Sequence, residues 1–288
     1  MNEKDIVLCA LDFSDLARQE LSLGVEVCQA LGWHLLLHHN VAYVAPGFTR
    51  VWEWNEVHRG DGVSHAAAEK RLRELLAELP DGFTREANIT AGPTVPTLLH
   101  LAENLPVRLI ILGSHGWSTP DHASLTERVL DACPCPVLTL NDSNDASHFR
   151  LRVHDDEKPI RVAVAIDLSP ASRWPLEQAF ELALRLPALR LDLVHVLPAE
   201  STHEAAGQAH RELEKLVCAE LADRTSAYVQ QGDPIDAILQ LTRALDSTLL
   251  VMGEHARSFF RRVFTRDTAR GMLHSASCPV WFVPPKPD

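Results

Sequence analysis

The sequence of 288 residues is 46% hydrophobic and 23% charged, a composition typical of an ordinary globular protein with about two domains. Its formal net charge of −12 argues against nucleic acid or an anionic membrane as the main partner, because both require a basic face. No apolar run approaches the ~20 residues of a membrane span, and the acidic start of the chain is unlike a signal peptide. The six cysteines lack the close spacing of a small disulfide scaffold, so we expect free thiols and a cytoplasmic protein.

Strands and helices are predicted to alternate along the first half of the chain. The strands are expected in five segments, DIVLCAL, HLLLHHNV, TREANITA, VRLIIL and VLTL. Leu72, Leu75, Leu76 and Leu79 form an i, i+3, i+4, i+7 stripe that predicts an amphipathic helix. Apolar strands separated by helices predict a parallel sheet covered on both faces, with the polar third strand at its edge.

The second half of the chain repeats the landmarks of the first half in the same order. Each half has an apolar strand ending in Asp-x-Ser, a glycine before a helical pattern, an apolar strand ending in glycine, and a Cys-Pro-Val segment. The paired residues are Asp12 and Asp167, Gly92 and Gly232, Gly113 and Gly253, and Cys135 and Cys278. Four landmarks in one order indicate two copies of an α/β domain.

The spacing of these landmarks predicts the domain organisation. We expect a first domain over residues 1–142, a polar linker over 143–158 and a second domain over 159–288. The first domain carries an insertion at about 44–64. In open parallel sheets, ligands bind at the carboxyl ends of the strands near the switch point, so each domain is expected to have a crevice there.

These motifs together resemble those of tandem universal stress proteins. The resemblance rests on the strand ends ALDFS and AIDLS, on ILGSHG and VMGEHA, and on ERVLDACPCPV with its counterpart GMLHSASCPV, and it covers nearly the whole chain. It implies two tandem doubly wound five-stranded parallel sheets, Rossmann-like and similar to the adenine nucleotide alpha hydrolases. It also implies that the final strands pair the two domains into an internal pseudo-dimer, with a homodimer of tandem chains as a further level of assembly.

The resemblance implies a non-enzymatic role in the general stress response, with ATP or another adenine nucleotide or small ligand bound in domain 1. Members that bind ATP share Gly-x2-Gly-x9-Gly-Ser/Thr, in which glycines let backbone N–H groups approach phosphate oxygens at a helix N-terminus. The ligand-binding residues carried over to domain 1 are Ala10, Leu11, Asp12, Asn40, Leu112, Gly113, His115, Gly116, Ala123, Ser124, Leu125 and Thr126.

Neither copy carries this phosphate-binding pattern intact. In domain 1, six residues rather than nine separate Gly116 from Ala123, and Ala123 stands where the pattern has a glycine. Three residues span up to about 10 Å of extended chain, so the shortened loop is less able to enclose a triphosphate. Domain 2 has Ala256 for the second glycine and Arg266-Asp267 for the closing pair, so we expect no nucleotide there.

The aspartates and histidines also have structural interpretations. Asp12 either contacts adenine or caps the following helix. On the second strand, the alternation of side chains sends His34 and His38 to one face of the sheet and His39 to the other. We expect these histidines to have structural roles. We expect no metal site, because neither HExxH nor a paired CxxC is present, and no catalytic residue, although slow ATP hydrolysis stays open.

An alternative function is a scaffold or signalling partner that binds no nucleotide. In this hypothesis the protein acts through dimerisation and through the insertion, which contains Phe48, Trp52 and Trp54. The insertion either packs over the edge of the sheet or forms a lid or a partner surface.

Overall fold

A computed structural model of the chain describes residues 5–14, 16–41, 65–114, 124–141, 149–152, 159–253, 272–273 and 275–286. These residues belong to two units, Met1–Val137 and Leu138–Asp288. Several predicted features lie outside the described residues, namely the insertion at 44–64, the predicted ligand residues His115, Gly116 and Ala123, and the domain 2 loop residues Ala256, Arg266 and Asp267. The domain bounds 1–142, 143–158 and 159–288 stay a prediction.

The first unit alternates strands and helices, as the sequence predicts. The elements are β1 (Ile6–Ala10), α1 (Ala17–Leu31), β2 (His34–Val41), α2 (His65–Glu78), β3 (Arg85–Ala91), α3 (Thr94–Asn104), β4 (Val107–Gly113) and α4 (Leu125–Ala132). The strand order is β3-β2-β1-β4, and each neighbouring pair is parallel.

The second unit repeats this arrangement. Its elements follow β5 (Val137–Leu140) and are β6 (Ile160–Ala165), α5 (Arg173–Arg185), β7 (Leu189–Leu197), α6 (His203–Leu216), β8 (Thr225–Gln231), α7 (Pro234–Ala244), β9 (Leu249–Gly253) and β10 (Val280–Val283). The strand order is β5-β10-β9-β6-β7-β8. The Thr139 hydroxyl donates to the carbonyl of Val280, and the Asn141 amide donates to that of Leu273. The final strand of the first repeat therefore lies beside the final strand of the second, as the resemblance implies.

The apolar strands lie in the interior of each sheet, and the polar ones lie at its edge. Val7, Leu8 and Cys9 of β1 are fully buried, because β1 has strands on both sides and helices cover the sheet. In contrast, β3 and β8 end the strand order, and most of their residues are half-buried or exposed. The prediction of a polar third strand at the edge is confirmed.

The paired glycines that precede a helical pattern have one conformational role. Gly92 and Gly232 follow β3 and β8 with φ of 137° and 119°, a region that favours glycine. A helix starts directly afterwards in each unit, and in the second unit the Asp233 side chain accepts hydrogen bonds from the N–H groups of Ile235 and Asp236. The repeated glycine therefore marks the same strand-to-helix turn in both copies.

A buried ion pair in the second unit joins the start of β6 to β7. Arg161 donates from Nε to Asp192 Oδ2 at 3.0 Å and from Nη2 to Oδ1 at 2.6 Å, and Nη2 also contacts the Tyr228 hydroxyl at 3.2 Å. The Asp192 side chain is 1% exposed and that of Arg161 is 27% exposed. Burial raises the pKa of Asp192, and the opposing effect of the guanidinium does not cancel it, so the carboxylate depends strongly on its partner.

We expect Arg161→Met to lower the free energy of unfolding by about 3 kcal/mol, because it leaves a buried carboxylate without its counter-ion. Asp192→Asn should cost less, since the partly exposed guanidinium can be hydrated. Urea denaturation would measure both changes. Arg108→Met is the matched control, because Arg108 pairs with Asp5 at the surface and is worth at most about 1 kcal/mol. Equal losses in Arg161→Met and Arg108→Met would contradict the interpretation.

Candidate functional site

The candidate site of the first unit lies at the carboxyl ends of β1 and β4. The chain runs from β1 to β2 and β3 on one side, and β4 then pairs with β1 on the other side. The carboxyl ends of β1 and β4 therefore flank the topological switch point, where open α/β sheets bind ligands. The structure brings together there the predicted residues Ala10, Leu11, Asp12, Leu112 and Gly113.

Asp12 forms a tight turn between β1 and α1. Its Oδ1 accepts a hydrogen bond from the Ser14 N–H at 2.9 Å, and the next residue, Phe13, has φ of 62°. The second unit has the same turn, in which Asp167 accepts from the Ser169 N–H and Leu168 has φ of 60°. A left-handed backbone costs about 1–2 kcal/mol at a residue with a side chain. Because both copies keep it, the turn belongs to the fold, and the exposed Asp12 side chain has at least this structural role.

A histidine from the second strand holds the end of the first strand in each unit. The Leu11 N–H donates to the carbonyl of His38, and His39 Nδ1–H donates to the carbonyl of Leu11 at 2.7 Å. Ile166 and His195 repeat these contacts in the second unit, with His195 Nδ1 2.8 Å from the Ile166 oxygen. A carbonyl only accepts, so the proton lies on Nδ1 in both rings. The expected structural role of His39 is therefore seen in its contacts.

An arginine side chain of α2 lies at the same edge of the first unit, and the sequence analysis did not single it out. The Phe13 ring packs on the His39 ring at 4.3 Å between centroids, and the guanidinium carbon of Arg71 lies 4.8 Å from the Phe13 centroid. Arg71 precedes the buried Leu72 of α2, and Glu212 precedes the corresponding Leu213 of α6. The stack of Arg71, Phe13 and His39 is thus specific to the first unit. In the sequence, Arg71 looks like any exposed helical arginine, except that it directly precedes Leu72 of the apolar stripe.

The predicted ligand residue Asn40 makes structural hydrogen bonds. Its Nδ2 donates to the Gly92 carbonyl at 2.6 Å and to Thr94 Oγ1 at 3.0 Å, and its Oδ1 accepts from Thr90 Oγ1 at 2.8 Å. These bonds join the end of β2 to β3 and to the start of α3. A ligand contact by Asn40 stays a prediction. The ligand would have to share the side-chain amide of Asn40, which already makes these hydrogen bonds within the fold.

The N-terminus of α4 is capped by side chains of its own first turn. Ser124 Oγ accepts from the Glu127 N–H, and the Ser124 N–H donates to Glu127 Oε2 at 3.0 Å, which together form a capping box. Thr126 donates to the carbonyl of Gly113 at 2.9 Å and so brings the helix start to the end of β4, with Leu125 between Ser124 and Thr126 in sequence. Ser124, Leu125 and Thr126 therefore lie near Gly113 as predicted. A carboxylate occupies the helix N-terminus that a phosphate would otherwise approach.

A buried carboxyl group under the crevice is the main residue that the sequence did not single out. Glu20 of α1 is 1% exposed. Burial raises the pKa of Glu20 well above its usual value, the charge of Asp12 raises it further, and a backbone hydrogen bond from Gly113 opposes both effects. Glu20 thus lies close to both Asp12 and Gly113. In the sequence it is one glutamate in an amphipathic helix, and only its place on the buried face could have identified it.

The second unit has an apolar residue at the corresponding position. Glu20 lies eight residues after Asp12, and Pro175 lies eight residues after Asp167. Gly253, which ends β9 as Gly113 ends β4, is buried, and a Cβ added to it would lie 2.5 Å from the Pro175 Cγ. The two units therefore keep the same contact between the first helix and the loop glycine, but they fill it with a carboxyl group in one and a proline ring in the other.

The other two histidines of β2 face the edge strand of the first unit. His34 Nε2 lies 3.7 Å from a Glu86 carboxylate oxygen, and His38 Nε2 lies 3.3 Å from Thr90 Oγ1, so both rings contact side chains of β3. Burial lowers the pKa of His38 to about 4, so this ring is neutral at neutral pH. Within the described residues, no three His, Cys, Asp or Glu side chains are placed to hold a metal ion.

We expect Glu20→Gln to stabilise the protein by about 1–2 kcal/mol at pH 8 and to have little effect near pH 4. The folded state raises the pKa of Glu20, so it binds the proton more tightly than the unfolded chain does. The stability of the wild type therefore falls as the pH rises above the usual pKa of a glutamate, and glutamine does not titrate. Thermal unfolding at several pH values would measure the difference.

Glu103→Gln is the control for this measurement, because Glu103 is an exposed glutamate of α3. It should leave the pH dependence of unfolding unchanged. A pH-independent effect of Glu20→Gln, or destabilisation that grows as the pH rises, would contradict the buried protonated carboxyl.

Comparisons with known proteins agree with this architecture. The model of the universal stress protein family matches residues 4–141 and 160–284. Comparison with the curated proteins found no match. None of the helices in the described ranges is long and apolar enough to cross a membrane.

Two solved structures resemble the chain over nearly its whole length. A universal stress protein from Archaeoglobus fulgidus DSM 4304 has a TM-score of 0.67 and 18% identity, with 98% of this chain and 96% of that chain covered. A putative universal stress protein from Pseudomonas aeruginosa UCBPP-PA14 has a TM-score of 0.59 and 19% identity, with 99% and 94% covered. At this identity the two structures show the fold, and the family model shows the family. The chain therefore belongs to the universal stress protein family, with two family domains in tandem.

Proposed function

We propose that the first unit binds an adenine nucleotide, or a small ligand of similar chemistry, without turning it over. The observation that carries the proposal is the position of Asp12 and Gly113 on either side of the switch point between β1 and β4. In this proposal Asp12 contacts the base side of the ligand, and the backbone after Gly113 contacts a phosphate.

The difference between the two loop glycines supports the first unit as the binding unit. Gly113 is half-buried, whereas Gly253 is buried against the Pro175 ring. A ligand phosphate needs close approach to the backbone, and the proline ring fills the space beside Gly253. The edge of the first unit also carries the Arg71 guanidinium against the Phe13 ring, whereas Glu212 stands at the corresponding position of the second unit.

The charges near Gly113 favour a ligand with few phosphate groups. The Asp12 carboxylate lies at the same strand ends, and the Glu127 carboxylate caps α4. A triphosphate would have to displace the capping carboxylate and would meet like charge at short range. We therefore propose a nucleoside monophosphate or a cyclic monophosphate rather than ATP.

A binding role rather than an enzymatic one is supported by the polar groups of the crevice. The Ser124 hydroxyl and amide, the Thr126 hydroxyl and the Asn40 amide all make structural hydrogen bonds. General base catalysis requires a group placed to take a proton from the attacking water. Because these groups stabilise the fold instead, we propose that the site holds its ligand and changes the protein surface for a partner.

Thermal unfolding with AMP, cyclic AMP and ATP would test the proposal. At a ligand concentration ten times the Kd, binding adds about 1.4 kcal/mol, which raises the Tm by a few degrees. We expect a shift with the monophosphates, a smaller shift with ATP, and loss of the shift in Asp12→Ala.

Asp167→Ala is the matched control, because Asp167 forms the same turn in the second unit. It should keep the ligand-induced shift even if it lowers the Tm of the free protein. No shift with any of the three nucleotides, together with no nucleotide in the purified protein, would overturn the proposal. Loss of the shift in Asp167→Ala and not in Asp12→Ala would assign the site to the other unit.

A further inference from the structure

Two cysteine thiols are in contact at the end of α4, away from the crevice residues described above. The Sγ atoms of Cys133 and Cys135 are 3.5 Å apart, and the residues are 6% and 8% exposed. The Cys133 N–H donates to the Val129 carbonyl and ends the helix, and the Pro136 carbonyl accepts from the Ile110 N–H of β4. The segment that carries both thiols is therefore held by backbone hydrogen bonds at each end.

The contact makes the two thiols chemically different from each other. The hydrogen bond between the two thiols lowers the pKa of Cys133 despite its burial, and the same bond together with burial raises the pKa of Cys135. The thiolate is the nucleophilic form of cysteine, so Cys133 is the better nucleophile of the two. The Cys135 sulfur lies 3.5 Å from that of Cys133, close enough for a small movement to bring it to the sulfur of an oxidised Cys133.

The second sequence repeat lacks this pair. Cys278 corresponds to Cys135, and Ala276 stands two residues before it, where the first repeat has Cys133. Burial raises the pKa of Cys278 to about 12, as expected for a solitary thiol in an apolar interior. Burial likewise raises the pKa of Cys28 to about 12 and that of Cys9 well above its usual value. Among these buried thiols, the pair is therefore the place that favours thiol chemistry.

We propose that Cys133 and Cys135 form a redox-sensitive dithiol that a peroxide converts to an intrachain disulfide. The Cys133 thiolate attacks one peroxide oxygen, the O–O bond breaks, and Cys133 becomes a sulfenic acid as one water forms. The Cys135 sulfur then attacks the Cys133 sulfur, the S–O bond breaks, and a second water leaves as the S–S bond forms. Two thiols lose two electrons and two protons, and the peroxide is reduced to two waters.

The geometry fits a small oxidant and an easily reversed reaction. The sulfurs must approach by about 1.5 Å to reach disulfide bonding distance. Both residues are more than nine-tenths buried, so a small uncharged peroxide needs less opening of the structure than a bulky disulfide does. The bond would close a ring across a single proline between backbone segments already held in place, so a low-molecular-weight thiol should reduce it readily by exchange.

Peptide mass spectrometry of the intact, native chain would test the proposal without any substitution. The reduced protein is treated with hydrogen peroxide, quenched in acid, alkylated after denaturation and digested with trypsin. Cleavage after Arg128 and Arg150 gives a peptide, residues 129–150, that contains Cys133 and Cys135 and no other cysteine. We expect this peptide to resist alkylation and to be about 2 Da lighter than its reduced, unalkylated form. A thiol reductant should restore alkylation at both cysteines.

The peptide 271–288, which contains Cys278 alone, is the internal control and should stay fully alkylated. Cys135→Ser, which keeps a hydroxyl donor beside Cys133, should leave a sulfenic acid at Cys133 that a dimedone probe traps, and Cys133→Ala should leave Cys135 largely unmodified. Alkylation of both cysteines in peptide 129–150 after peroxide would overturn the proposal. So would sulfinic acid without any disulfide, or modification of peptide 271–288 at the same rate.

Discussion

The central position of the first strand in each unit is the constraint on which the rest of the structure depends. A buried strand needs hydrogen-bond partners on both sides, and β1 finds them in β2 and β4, as β6 does in β7 and β9. Because the chain must return past β1 to form β4, the carboxyl ends of β1 and β4 flank an opening. In the first unit, the Asp-x-Ser turn, the histidine contact and the start of α4 lie around this opening, so the position of the site follows from the strand order.

The two repeats show how one scaffold tolerates different chemistry at one point. Glu20 and Pro175 take the same position beneath the loop glycine, but a buried carboxyl group costs stability whenever it is ionised, whereas a proline ring packs without that cost. The turn, the histidine contact and the strand pairing are the same in both units. The first unit therefore has a buried ionisable group where the second unit has apolar packing. A buried group with a shifted pKa beside a crevice is typical of a ligand site.

The sequence was most informative where periodicity and repetition act together. The predicted bounds of β2 and β5 coincide with the observed strands, and the glycines Gly92 and Gly232 mark equivalent turns, because local sequence decides these features. Glu20 and Arg71 could not be predicted, since their importance comes from what lies opposite them in the folded chain. Asn40 and Thr126 lie near the crevice strands, but the sequence does not show that the fold already uses their side chains in hydrogen bonds.

The buried Glu20 carboxyl group has a consequence for how the first unit responds to pH. Burial favours the neutral form, because it raises the pKa of Glu20 well above its usual value. The Asp-x-Ser turn and the histidine contact are the same in both units, but Pro175, which corresponds to Glu20 in the second unit, carries no titratable group. The first unit therefore places a charge that depends on pH close to Gly113, on a backbone arrangement that both repeats share.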